Sequence, residues 1–149
     1  MQASPYRERL WPAPWLFVAT ALVIPASLLV FLPISVLAGV VVAIVLYAGV
    51  VAALVLTSPV IEVVDGRLRA GRASIDVAQL GEPEGYRGAE AVAERGVRLH
   101  ARAYLVIRGW VDPVVRVPLT DPSDPAPYWL VSTRSPERLI AAIRGSRRS

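Results

Sequence analysis

The chain has 149 residues, of which 54% are hydrophobic and only 7% aromatic, and it carries a formal charge of +4 at pH 7. That length is one small domain, or a membrane segment plus a smaller domain, and excludes a large multi-domain enzyme. A mean hydropathy of +0.49 excludes disorder as the main state and requires an aliphatic excess to be hidden in lipid or in a very apolar core. Cysteine is absent, which removes disulfides, thiolate catalysis and sulfur-ligated zinc. The single histidine, His100, argues against His-rich metal sites and most catalytic triads.

In chain order, residues 1–14 read as a short cytoplasmic segment with Arg7 and Arg9. From Leu10 through Ile61 there is no Asp, Glu, Lys, Arg or His in 52 residues. A straight helix of that length would reach about 78 Å, far beyond a hydrocarbon core of about 30 Å. The run must fold back, and Pro33-Ile34-Ser35 is the natural corner, because proline cannot donate to the preceding turn and Ser35 can cap the next helix. The reading is a transmembrane helical hairpin over residues 15–57, with spans 15–32 and 35–57, about 27 and 34 Å as ideal helices. Trp11 and Trp15 suit a headgroup region, and Pro25 should kink the first span by freeing the Ala21 carbonyl. Gly39 and Ala43, then Gly49 and Ala53, are small residues four apart that suit close packing against the first span. A cleaved signal peptide is the rival for the first segment, countered by the equally apolar segment after it. Arg7 and Arg9 before the hairpin and Arg67, Arg69 and Arg72 after it predict a multi-pass protein of the cell (inner) membrane with both termini cytoplasmic.

Residues 59–149 should form a cytoplasmic α+β domain, mildly basic with 14 Arg against 11 acidic side chains, which gives nucleic-acid binding little support. Val60 to Val64, the Asp65-Gly66 turn and Arg67 to Ala70 read as a hairpin. Ala73 to Leu80 continues as a third strand. A short helix is expected over 89–97, with Glu90, Glu94 and Arg98 on its polar side. From Arg98 to Arg108 the period changes to two, with Leu99, Ala101, Ala103, Leu105 and Ile107 on the buried face. Val114 to Leu119 is a further strand whose Pro118 marks an edge or an end, and Tyr128 to Ser132 another. Ser135-Pro136-Glu137 starts a terminal helix, with a frayed tail from Gly145. About six strands and a closing helix predict an antiparallel sheet or partly closed barrel. That arrangement is similar to bacterial pleckstrin-homology-like domains, an architectural likeness that does not fix function.

Three stretches carry a closer resemblance: Tyr6-Arg7-Glu8-Arg9-Leu10; Ala101 to Leu105 with Arg108-Gly109-Trp110; and, most specifically, Asp121-Pro122-Ser123-Asp124-Pro125-Ala126-Pro127-Tyr128-Trp129-Leu130-Val131-Ser132-Thr133-Arg134. Over nearly the whole chain these resemble a family of small two-span actinobacterial membrane proteins known as a domain of unknown function. The resemblance implies a membrane location and no assigned activity or site.

Two sets of residues carry candidate chemistry. Asp121 and Asp124, three apart in a Pro-rich loop, can act as general acid and base or hold a cation, but hard cations want about six oxygens, and the competing reading is a rigid turn. Tyr128 and Trp129 beside it can stack on a ligand or fill the core. His100, Arg102, Arg108 and Arg116 on a strand face, with Arg134 closing the last motif, can bind phosphate or carboxylate; the competing reading is a solvated face neutralised by Glu90 and Glu94. No Gly-rich phosphate loop, nucleophile elbow or metal-helix motif occurs, so no cofactor or metal is implied. The sequence therefore predicts a membrane-anchored binding or scaffold module for a protein partner or anionic lipid, with a membrane-tethered hydrolase using Asp121 and Asp124 as the alternative.

Overall fold

The computed structural model describes residues 6–148. Residues 1–5 and Ser149, which belong to the expected segments 1–14 and 59–149, lie outside the described residues. The chain divides into a helical unit, residues 11–58, and an α/β unit built from residues 6–10 and 59–148.

The helical unit contains α1 (Pro14–Ala21), α2 (Val23–Phe31) and α3 (Val36–Leu56). The expected first span is thus two helical pieces meeting at Leu22, three residues before Pro25, where the missing proline N–H releases the Ala21 carbonyl. The corner falls between α2 and α3 as the sequence predicts, and Ser35 Oγ accepts from the Ala38 N–H at 3.3 Å as the cap of α3. Gly39 and Ala43 are buried, and a Cβ at Gly39 would stand only 3.3 Å from Leu28 Cδ2, so α2 and α3 approach closely there. Gly49 has open space around it. The rest of the unit presents apolar side chains outward: Leu29, Ile34, Leu37, Ile44, Val45 and Leu56 are each more than 60% exposed.

In the α/β unit the first sheet is wholly antiparallel, in the order β1 (Tyr6–Arg9), β2 (Val60–Val64), β3 (Arg67–Ala70), β4 (Ala73–Asp76). The β2–β3 hairpin turns at Asp65 and Gly66, both at positive φ, as Asp-Gly requires. Two expectations change here. Tyr6–Arg9 is a strand of this sheet rather than part of a separate leading segment; four residues are too few to show a period, and the partner that satisfies their backbone lies more than 50 residues away. The third strand stops at Asp76, whose Oδ1 accepts from the Ala78 N–H at 2.9 Å and starts the 3-10 turn Val77–Gln79.

The second sheet has the order β5 (Glu84–Tyr86), β7 (Val114–Pro118), β8 (Tyr128–Ser132), β6 (Tyr104–Val106), and α4 (Gly88–Arg95) follows β5. β6 runs parallel to β8 and the other pairs are antiparallel. Two four-stranded sheets therefore replace the expected single sheet or partly closed barrel, and no closed barrel forms among the described residues. Pro118 is the last residue of an interior strand, where its missing donor interrupts no ladder.

The stretch 98–108 departs most from its expected form. Only Tyr104–Val106 is strand. Residues before it turn back on themselves, with Leu99 N–H donating to Gly96 O and Ala103 N–H to His100 O. The parity is also reversed: Val106 is buried in the main core while Leu105 is 42% exposed, because register with β8 sets the faces.

Both sheets and α5 (Pro136–Arg148) share one core, with Ile61, Val63 and Leu68 from the first sheet, Val115, Val117, Trp129 and Val131 from the second, and Leu139 and Ile143 one helical turn apart on α5. A second cluster, Ala91, Val114, Tyr128 and Leu130, fills the outer face of the second sheet beneath α4. β8 is therefore buried on both faces, which explains its unbroken Tyr-Trp-Leu-Val run. The expected frayed tail is helical through Arg148; Arg144 and Arg147 both pair with Glu82 and tie down the last turn.

Candidate functional site

The structure does not bring the sequence candidates together at one place. Asp121 Oδ1 accepts from the Ser123 N–H (2.9 Å) and from Ser123 Oγ (2.7 Å), and these bonds hold its carboxyl below the usual aspartate range. Asp124 Oδ1 accepts from the Ala126 N–H at 2.9 Å. Each carboxylate thus fastens its own turn, as Asp commonly does. Among the described residues no group of three or more His, Asp or Glu converges as a metal site.

His100 and Arg102 lie in the turn before β6, both exposed, and His100 Nδ1 accepts from the Arg102 N–H at 3.1 Å. Arg108 donates its N–H to Ser132 Oγ (3.0 Å) and its guanidinium to the Ile107 carbonyl (2.8 Å). Trp129 faces the core, its ring 4.9 Å from that of Tyr104, whose hydroxyl donates to the Ala70 carbonyl of the first sheet at 3.0 Å. Of this set, Arg116 and Tyr128 do meet. The Arg116 guanidinium lies 5.0 Å over the Tyr128 ring, a cation–π arrangement, and the Tyr128 hydroxyl accepts from the His100 N–H at 2.9 Å.

The residue that organises this face is one the periodicity places on a solvated side. Glu94 of α4 is only 1% exposed, with Arg116 Nη1 at 3.7 Å and Arg98 Nη1 at 3.5 Å. A buried carboxylate needs such partners, and the i,i+4 spacing of Glu94 and Arg98 is the signal the sequence offers for it. Nearby, Tyr86 donates to Glu84, and that bond pushes its phenol up to about 12. The Arg116 charge thus has its counter-charge in the buried Glu94 of α4, while the Arg116 and Arg98 side chains keep a solvent-facing side.

Glu8 is a second residue that no sequence pattern marks as a partner. Its carboxylate accepts from the Arg134 N–H at 3.0 Å and lies 3.4 Å from Thr133 Oγ1, which in turn shares a 3.2 Å hydrogen bond with Tyr6 Oη. Burial raises the Tyr6 phenol. The leading Tyr-Arg-Glu motif and the closing Ser-Thr-Arg motif thus meet in space, and Arg134 takes part there through its backbone.

The outer face of the first sheet is different. Arg7, Glu62, Arg69 and Ser74 form one cross-strand row, with Arg69 Nη1 3.6 Å from Glu62. Arg7, Arg69 and Arg72 are exposed. Among the described residues no helix brings a second acid to this row, which holds Arg7 and Arg69 against Glu62.

These motifs extend from the first strand to the last helix, and a family model matches residues 5–143, a family described as protein of unknown function, DUF3093. The chain belongs to the DUF3093 family. Searches of curated proteins and of solved structures find no match. For this DUF3093 chain the arrangement of side chains is therefore what carries the functional argument.

Proposed function

We propose that this chain is an integral membrane protein in which α1–α3 cross the bilayer as a hairpin and hold the α/β domain, with both termini, on the cytoplasmic side as a binding module. The observation that carries this reading is a run of 52 residues without a charge that folds into two helices long and apolar enough to span and leaves most of their side chains unburied. In water such a surface is a large aggregation liability. In lipid the thirteen Val, Leu and Ile residues of α3 favour insertion by roughly 5 kcal/mol, with no buried charge to oppose them.

The first sheet supports the sidedness. β1 ends at Arg9 and β2 begins at Val60, the two are paired in register, and the Leu10 N–H donates to the Pro59 carbonyl at 2.9 Å. Chain segments flanking the hairpin are thereby fastened to each other, as an even number of crossings requires. The flanking arginines favour the cytoplasmic side.

Carbonate washing of membranes tests the anchor: the intact protein should remain in the pellet and need detergent for release, and its carboxyl half should survive protease added outside spheroplasts. Release by carbonate alone, or digestion of the carboxyl half in unbroken cells, would overturn the reading.

A further inference from the structure

Strand pairing gathers four arginines between one end of the first sheet and its middle row. Leu10 and Pro59, joined by a backbone hydrogen bond, mark the end at which the chain leaves this domain toward Trp11 and from Ser58. The Gly71 N–H donates to the Val60 carbonyl at 3.0 Å, which puts the Gly71-Arg72 turn at the same end. Arg9 is paired with Val60, and Arg7, Glu62 and Arg69 form the middle row on the same face, two residues along the strands from that end. The far end, at the Asp65-Gly66 turn, carries Arg67 paired with Asp76. On the outer face of the described sheet Arg9 and Arg72 stand at the near end and Arg7, Glu62 and Arg69 in the middle row, whereas the far end has Arg67 beside Asp65 and Asp76. Linear sequence interleaves these charges; the antiparallel register separates them along the strands.

We propose that this arginine-rich half of the sheet binds the phosphate-bearing headgroups of anionic lipids, with exposed Arg69 and Arg72 making the contacts and Arg7 adding to the field. The inference rests on the proposed membrane crossing. Arg9 and Val60 are each two residues from the helical unit, about 7 Å of extended chain and within a Debye length of about 8 Å at physiological salt, and the Arg7–Glu62–Arg69 row follows about 7 Å further along the strands. Guanidinium groups suit this ligand because they hold phosphate bidentately and are only weakly hydrated. Glu62 is the restraint, since its pairing with Arg69 competes with the headgroup.

The test uses the full-length protein in neutral detergent micelles doped with phosphatidylglycerol or phosphatidylcholine, with bound lipid counted by native mass spectrometry. Phosphatidylglycerol should be retained over phosphatidylcholine, and Arg69→Gln with Arg72→Gln should weaken its retention on the order of tenfold. Glu62→Gln should strengthen it, an effect that loss of structure cannot mimic, and Arg67→Gln should leave it unchanged. Added salt should weaken retention by the wild-type protein, so the idea remains testable even if the double variant misfolds. Equal retention of the two lipids, indifference to salt, full competition by glycerol phosphate, or an Arg67→Gln effect as large as that of the pair would overturn the proposal. A partner protein that binds this half of the sheet regardless of lipid would do the same. Release of the protein by carbonate overturns the crossing and leaves this titration standing as a separate result, while failure of the titration leaves the crossing intact.

Discussion

On the first sheet Arg7 and Arg69 stand on an outer face with one acid between them, whereas on the second sheet Arg116 lies under α4, beside buried Glu94 and over the ring of Tyr128. The residue type and its alternation along a strand are the same in both places. What differs is whether a helix brings an acid to the arginine: Gly88–Arg95 supplies the buried Glu94 to Arg116, and no described helix does so for the first. An arginine on a strand is thus a candidate for an external anion only after the covering layer has been placed. By this criterion Arg116 is compensated within the domain, while Arg69, beside Glu62 alone, and Arg72 stand exposed.

The sharpest way to break the comparison is to remove the acid from each face. Glu94→Ala should destabilise the protein by about 2 kcal/mol, less than the roughly 3–5 kcal/mol for a fully buried pair because Arg98 and Arg116 can turn toward water. Glu62→Ala should change stability by no more than about 0.5 kcal/mol, as exposed pairs do. Urea unfolding followed by tryptophan fluorescence measures both, and equal effects would erase the distinction between the faces. A smaller loss is expected from Tyr128→Phe. It deprives the His100 N–H of its acceptor and leaves the ring under Arg116 in place, so about 1 kcal/mol should be lost while the fluorescence of adjacent Trp129 stays native.

The smallest effect lies at the rim of the second sheet. Glu137 of α5 accepts two bonds from Arg87, which together hold its carboxyl below the usual glutamate range. A lowered native value contributes stability that is present above the unfolded value and is lost as pH falls through the native one. Melting temperature measured from neutral to acid pH should therefore fall slightly less steeply for Glu137→Gln than for the wild type. An unchanged acid limb would show that this exposed tie contributes nothing.

Much of the fold is legible in the sequence wherever the cause is local. Ser35 caps α3 because its own Oγ reaches three residues ahead, Asp65-Gly66 turns because its backbone tolerates positive φ, and the Leu139–Ile143 spacing fixes the buried side of α5. The failures share the opposite property. Tyr6–Arg9 becomes a strand only through β2, and the buried face of 104–106 is set by the parallel register with β8. Glu94 is buried because Arg116 waits on a strand more than 20 residues further on. Asp121 and Asp124 are a different case: the sequence offers them either as a catalytic pair or as fasteners of a rigid turn, and each accepts from an amide two residues ahead.

The charge-free run from Leu10 to Ile61 and its corner at Pro33 needed nothing beyond the order of residues, since the absence of ionic groups and the loss of a proline donor are properties of the segment alone. Which arginines are neutralised and which are left facing outward required the folded chain. Charge compensation and strand register depend on groups brought within a few ångströms by pairing across long sequence distances, and no local pattern records that proximity.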